Sequence, residues 1–109
     1  MSFIKIADAS ELPVGKMKKV VVTDKEILLV NFEGTYYAIS DKCPHMGASL
    51  SEGTLDGNII TCARHGSKYD VRTGKALGQA KILFLKFAVK DDRSYPIKQE
   101  GNDIMIDLD

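Results

Sequence analysis

A chain of 109 residues has room for one hydrophobic core and buries enough surface to fold without cross-links. Fifteen Lys+Arg are matched by fifteen Asp+Glu, so no net field draws the protein to nucleic acid or to an anionic membrane. No apolar run approaches the ~20 residues of a membrane span. The opening Met1-Ser2-Phe3-Ile4-Lys5 lacks the apolar core of an export signal, so a cytoplasmic location is expected.

Taken in order, the chain reads as all-β. Phe3 to Ala7 is a first short strand, and Asp8 to Gly15, with Ser10, Pro13 and Gly15, is a connection with one helical turn. Lys16-Met17-Lys18-Lys19 is the sole basic cluster; it lacks interleaved aromatics and reads as a solvated strand edge. Val20–Thr23 and Ile27–Phe32 are β-branched and aliphatic, joined by a tight turn expected at Asp24-Lys25. Glu33-Gly34 turns the chain into Thr35–Ser40, completing a three-stranded meander that ends just before Cys43. Asn58–Thr61 is a strand running into Cys62, and Ser67–Val71 is another, turned by Thr73-Gly74-Lys75. Lys81 to Lys90 fits neither strict alternation nor a helical stripe and is expected to be one buried strand. Tyr95–Gln99 and Ile104–Leu108 form a closing hairpin, in which Pro96 marks an edge or a strand start.

The chain has two cysteines and two histidines, and all four lie in Cys43-Pro44-His45-Met46-Gly47 and Cys62-Ala63-Arg64-His65-Gly66. In a cytosolic setting, cysteine beside histidine reads as metal binding rather than as a disulfide. Thiolate with imidazole suits zinc or an iron–sulfur centre. One tetrahedral zinc would use all four groups, but zinc modules more often pair Cys with Cys and His with His. Here both loops are mixed, and a two-iron cluster explains the mixing better: each loop gives its cysteine to one iron and its histidine to the other. Gly47 and Gly66 stand where the backbone must bend, and Pro44 pre-sets a torsion in the first loop. Ser67 and Tyr69 follow closely enough for their hydroxyls to donate to a sulfide and to a cysteine sulfur, which stabilises the reduced cluster.

Cys-x-His, sixteen residues, then Cys-x-x-His-Gly-Ser-x-Tyr-Asp followed by Thr-Gly-Lys resembles a Rieske-type [2Fe–2S] ferredoxin, with likeness extending over nearly the whole chain. The resemblance implies two stacked antiparallel sheets topped by a small cluster-binding subdomain at about residues 42–75, all within one domain spanning 1–109. It implies that Cys43 and Cys62 ligate an inner iron, and His45 and His65 an outer, more exposed one. Members of the membrane-complex branch add a cysteine to each loop, forming a disulfide; Ala48 and Arg64 stand at those positions, which points to the soluble branch. Ala63 replaces a frequent proline, and Gly78-Gln79-Ala80 lacks the proline usual in a third loop covering the cluster.

Two imidazoles in place of two thiolates leave the cluster less negative, so the midpoint is expected in the Rieske range of roughly −150 to +300 mV. The second ring nitrogens are expected to couple electron transfer to protons at alkaline pH. No nucleophile–base pair or phosphate-cradling loop is evident, and protein ligands fill every metal position, so the chain reads as an electron carrier rather than an enzyme. Its expected partners are a reductase, an oxygenase or both, docking transiently near His45 and His65 on a face rimmed by Met46, Ala48, Leu50, Arg64 and Lys68; the alternative is that Leu50 is buried and the charges are merely solvated. The alternatives are a Rieske-like small subunit of a nitrite-reductase type enzyme and a structural zinc module.

Overall fold

The computed structural model describes residues 2–44, 47–64, 66–77, 79–82, 85–88 and 90–109, with side chains described for all of these except 79–82 and 85–88. The strands are β1 (Phe3–Asp8), β2 (Met17–Val22), β3 (Lys25–Phe32), β4 (Thr35–Ser40), β5 (Thr54–Asp56), β6 (Ile59–Thr61), β7 (Lys68–Asp70), β8 (Gln79–Ile82), β9 (Leu85–Ala88), β10 (Ser94–Tyr95), β11 (Ile97–Glu100) and β12 (Asp103–Asp107). Single 3-10 turns at Ala9–Glu11 and Leu50–Glu52 are the helical elements among the described residues, so the all-β reading holds. Among the described residues every strand pair is antiparallel.

The expected meander is present as β2-β3-β4, extended by β10 on the free edge of β4. The turn between β2 and β3 is Thr23-Asp24, not Asp24-Lys25: Val22 pairs with Lys25, and Thr23 takes the positive φ of 56° that the short loop requires. A second sheet has the order β1-β12-β11. The chain passes between these sheets at Pro96, where β10 ends and β11 begins; proline has no N–H for a ladder, and β11 is an edge strand. A third sheet, β5-β6-β7, carries the second cysteine loop.

The single strand expected at 81–90 is instead two. Strands β8 and β9 pair with each other, Gln79 opposite Ala88 and Ile82 opposite Leu85. Pairing of the two strands satisfies their backbone groups locally, which an apolar run by itself does not reveal. The expected burial of its side chains lies outside the description.

Strand β3 positions everything else. Its run Ile27-Leu28-Leu29-Val30 is fully buried on both faces. Side chains alternate across a strand. Ile27 and Leu29 therefore join Ala38, Ile104 and Ile106 in a core between the two larger sheets. Leu28 and Val30 join Ile39, Cys43, Cys62 and Tyr69 in a second core, beneath the cysteine loops.

Truncating either face should be costly. Leu28→Ala and Leu29→Ala are each expected to lose roughly 2–5 kcal/mol in urea unfolding. Leu28→Ala alone should also speed amide exchange at Cys43 and Cys62, because its cavity opens in the core that contains them.

Candidate functional site

The two loops are built as the same turn. In the first, the Cys43 N–H donates to the Ala48 carbonyl at 2.7 Å and the Gly47 N–H donates back to the Cys43 carbonyl at 2.7 Å. In the second, the Cys62 N–H donates to the Ser67 carbonyl at 2.8 Å and the Gly66 N–H to the Cys62 carbonyl at 3.1 Å. Both turns close through a left-handed glycine, Gly47 at φ 71° and Gly66 at φ 72°. A side chain there would carry the steric cost that glycine avoids. The loops thus present cysteine at equivalent first positions, at the end of β4 and the end of β6.

Cys43 and Cys62 are both buried, and no disulfide joins them. The loop residues Pro44, Gly47, Ala63, Arg64 and Gly66 are exposed, so the thiols sit at the base of a solvent-facing rim. His45, Met46 and His65 lie outside the described residues, as does Gly78 of the expected third loop; Gln79 and Ala80 of that loop begin β8.

Tyr69 is fully buried and its phenol oxygen lies 3.3 Å from Cys43 Sγ. Burial, followed by the contact with Cys43, pushes the phenol pKa well above its ordinary value, against an opposing influence from Ser67. Tyr69 therefore keeps its proton and acts as a donor. The Ser67 hydroxyl is buried and meets no partner in hydrogen-bond geometry. A buried hydroxyl normally finds an acceptor, and one beside two cysteines fits a ligand that brings its own, such as a bridging sulfide. Two buried cysteines, a phenol on one sulfur and an unanswered hydroxyl form a donor set that suits a sulfide-bridged iron centre.

Of the two readings of Leu50, the buried one holds. Leu50 is fully buried in the core under the loops, while Arg64 and Lys68 are exposed and Ala48 is half-buried. The 3-10 turn beginning at Leu50 folds that side chain inward, and the Leu50 N–H donates to the Asp41 carbonyl at 2.6 Å.

Asp41, which sequence reasoning missed, organises the base of the first loop. Its side chain is 1% exposed, accepts from the Ser51 N–H at 2.8 Å and from the Ser49 hydroxyl, and has Lys19 Nζ at 3.8 Å. A carboxylate so placed fixes both ends of the loop. The available signal was an aspartate just ahead of the cysteine, with serines eight and ten residues on.

Comparison with known proteins identifies the family. A family model described as the Rieske [2Fe-2S] domain matches residues 2–82. The chain is 35% identical over 109 residues to the biphenyl dioxygenase ferredoxin subunit of Pseudomonas sp. (strain KKS102), covering 99% of this chain and 94% of that one. It is 39% identical over 98 residues to the ferredoxin component of the naphthalene 1,2-dioxygenase system of Pseudomonas aeruginosa, covering 90% of this chain and 88% of that one. Among solved structures, the ferredoxin of carbazole 1,9a-dioxygenase from Nocardioides aromaticivorans IC177 superposes with a TM-score of 0.83 at 27% identity, covering 97% of each chain. A complex of reduced oxygenase and oxidised ferredoxin in carbazole 1,9a-dioxygenase also matches, with a TM-score of 0.80 at 27% identity, over 95% of this chain and 91% of that one.

Removing the Asp41 carboxylate strands the Ser49 and Ser51 donors. Asp41→Ala is expected to cost roughly 2–3 kcal/mol in denaturant unfolding. Asp41→Asn, which still offers an acceptor, should cost less.

Proposed function

Because the chain belongs to the Rieske [2Fe–2S] domain family and is an electron carrier rather than a catalyst, we propose that it is the ferredoxin component of a multicomponent oxygenase, with Cys43 and Cys62 on one iron and His45 and His65 on the other. The observation that carries this reading is the pair of matched turns, each holding a buried cysteine, with Tyr69 on Cys43 and the unanswered Ser67 hydroxyl beside them. The whole of 1–109 acts as one domain, with residues of about 42–75 as its cluster-binding part.

The bound cluster supplies a one-electron couple in the range of roughly −150 to +300 mV. The chain's own groups tune and insulate that couple. Buried Cys43 and Cys62 keep water from the inner side. Tyr69 donates toward Cys43 Sγ, and with the cluster bound the Ser67 hydroxyl would be free to donate to one of its sulfides; both would favour the more negative reduced state and so raise the potential.

Relatives of this chain are ferredoxin components of aromatic dioxygenase systems, and one related ferredoxin has been captured with its oxygenase. By that likeness the electron passes to an oxygenase of the same kind, through the rim near His45 and His65. Residues 42–51 and 57–69 contain Lys42, Arg64 and Lys68 and no acidic residue. This basic rim suits a partner surface that presents carboxylates, in a small, transient contact. Among the described residues no helix is long and apolar enough to cross a membrane, and we place the carrier in the cytoplasm.

Purified protein is expected to be red-brown, to bleach with dithionite, and to show an average g value below that of all-cysteine clusters. Colourless protein with stoichiometric zinc would end the reading. Ser67→Ala with Tyr69→Phe should lower the midpoint by about 20–60 mV per hydroxyl, the redox equivalent of roughly 0.5–1.5 kcal/mol each; an unchanged midpoint contradicts the tuning role.

A further inference from the structure

Residues 91–93 form a strap between the end of β4 and the turn that follows β7. The Ser40 N–H donates to the Arg93 carbonyl at 2.8 Å, tying the strap to the strand that ends beside Asp41. On the other side, the Asp92 N–H donates to the Gly74 carbonyl at 2.7 Å, and the Ala76 N–H donates to Asp91 Oδ1 at 2.8 Å. The backbones touch: a Cβ on Gly74 would stand 2.2 Å from the Asp92 carbonyl oxygen. Ala76 in turn bridges to Tyr69, the residue on Cys43.

This strap carries Asp92 into the interior, where it is 7% exposed. Its Oδ1 accepts the Arg93 N–H at 3.0 Å, whereas Oδ2 has no hydrogen-bond partner. Among the described residues no ion pair reaches it. The Arg93 guanidinium lies over the Tyr95 ring at 4.7 Å and toward the Leu108 carbonyl. Asp91 and Lys75 are exposed, and Asp70 is held by Arg72 at 2.9 Å. Asp92 instead shares its surroundings with Asp41 and Tyr69. Three acids are buried among the described residues: Asp41 is answered by Ser49, Ser51 and Lys19, Asp107 accepts the Asp109 N–H at 3.0 Å, and of the three only Asp92 has a buried carboxylate oxygen without a hydrogen-bond partner.

We propose that the Asp92 carboxyl is a redox-linked proton site, binding its proton from solvent more tightly when the chain accepts an electron and less tightly when the electron leaves. The inference rests on the electron-carrier reading above and deepens it. Each electron from the donor protein then draws on average at most about half a proton from water, so the negative charge gained is partly offset. An uncompensated buried carboxylate is the group most sensitive to a negative charge arriving nearby. A unit charge ~10 Å away through protein shifts proton affinity by about one pH unit. Burial above all, aided by the charge of Asp41 and opposed by the Arg93 N–H, already raises Asp92 to about 8, so the coupling falls in an accessible range.

The test is the midpoint potential against pH from 6 to 10. The wild-type midpoint should be nearly flat well below pH 8 and fall between about pH 8 and 9 with a slope of at most about half a proton per electron, as a shift of about one pH unit dictates. Asp92→Asn should lose that bend and keep only the alkaline dependence assigned to the imidazoles, while Asp91→Asn, at the exposed neighbour, should retain it. The reduced-minus-oxidised infrared spectrum near pH 8.5 should gain a protonated-carboxyl stretch in the wild type and not in Asp92→Asn. A wild type without bend or band overturns the proposal, as does a bend that survives in Asp92→Asn; if that variant fails to fold, the wild-type band alone decides. Protein with no reducible cluster defeats the carrier reading as well, whereas a normal cluster with an unchanged pH profile defeats this proposal alone.

The titration also has a signature in stability. A carboxyl whose folded value is raised from 3.8 to about 8 gives its full contribution below 3.8 and loses it as pH rises through 8. Thermal stability of the oxidised protein should accordingly decline more between pH 5 and 9 in the wild type than in Asp92→Asn.

Discussion

The structure depends on one strand being buried on both sides. Strand β3 places Ile27 and Leu29 in the core between the larger sheets, and Leu28 and Val30 in the core under the cysteine loops. Because side chains alternate with a period of two, a slip of one residue would exchange the two sets and misfit both cores at once. The register of β3 against β4, Leu28 opposite Ile39 and Leu29 opposite Ala38, is therefore specified from two directions. The same pairing carries β4 to its end at Ser40 and delivers Asp41 and Cys43 to fixed positions. Rigidity at the site is inherited from the centre of the molecule.

Above that base, the chain uses one local device twice. Each loop returns through a left-handed glycine, and each cysteine N–H and carbonyl is consumed within its own turn. With backbone polar groups satisfied, the thiols can be buried at little polar cost while the rim remains in water. The two supports then differ. Asp41 holds the first loop from below through Ser49 and Ser51, and Tyr69 reaches from β7 to the sulfur of Cys43. The first loop is thus supported by a charge at its base and a phenol at its sulfur.

Two of the three buried acids among the described residues, Asp41 and Asp92, differ in how their charge is met. Asp41 receives a backbone N–H, a hydroxyl and a distant ammonium. Asp92 receives one N–H and is held in place by backbone contacts to Gly74 rather than by its own side chain. Burial then favours the neutral form, since an unpaired charge in the interior costs more than a retained proton. In a protein whose work is to gain and lose an electron, that difference decides which acid responds.

The sequence by itself determined the chemistry. Paired Cys-x-His and Cys-x-x-His loops, the glycines after them, the hydroxyls of Ser67 and Tyr69 and the strands of the meander are all local patterns, legible because turn chemistry and ligand type act over a few residues. Tertiary structure decided what depends on residues far apart. Leu50 reads equally as a rim residue or a buried one until the Asp41 carbonyl draws its turn inward. The apolar run at 81–90 reads as one strand until β8 and β9 pair with each other. Strand β10 is two residues long and exists only because β4 offers an edge. Asp92, one charge among fifteen acidic residues, gains its role from a strap that joins β4 to a turn after β7. Burial and charge compensation are set by neighbours distant in the chain, and no window of sequence contains them.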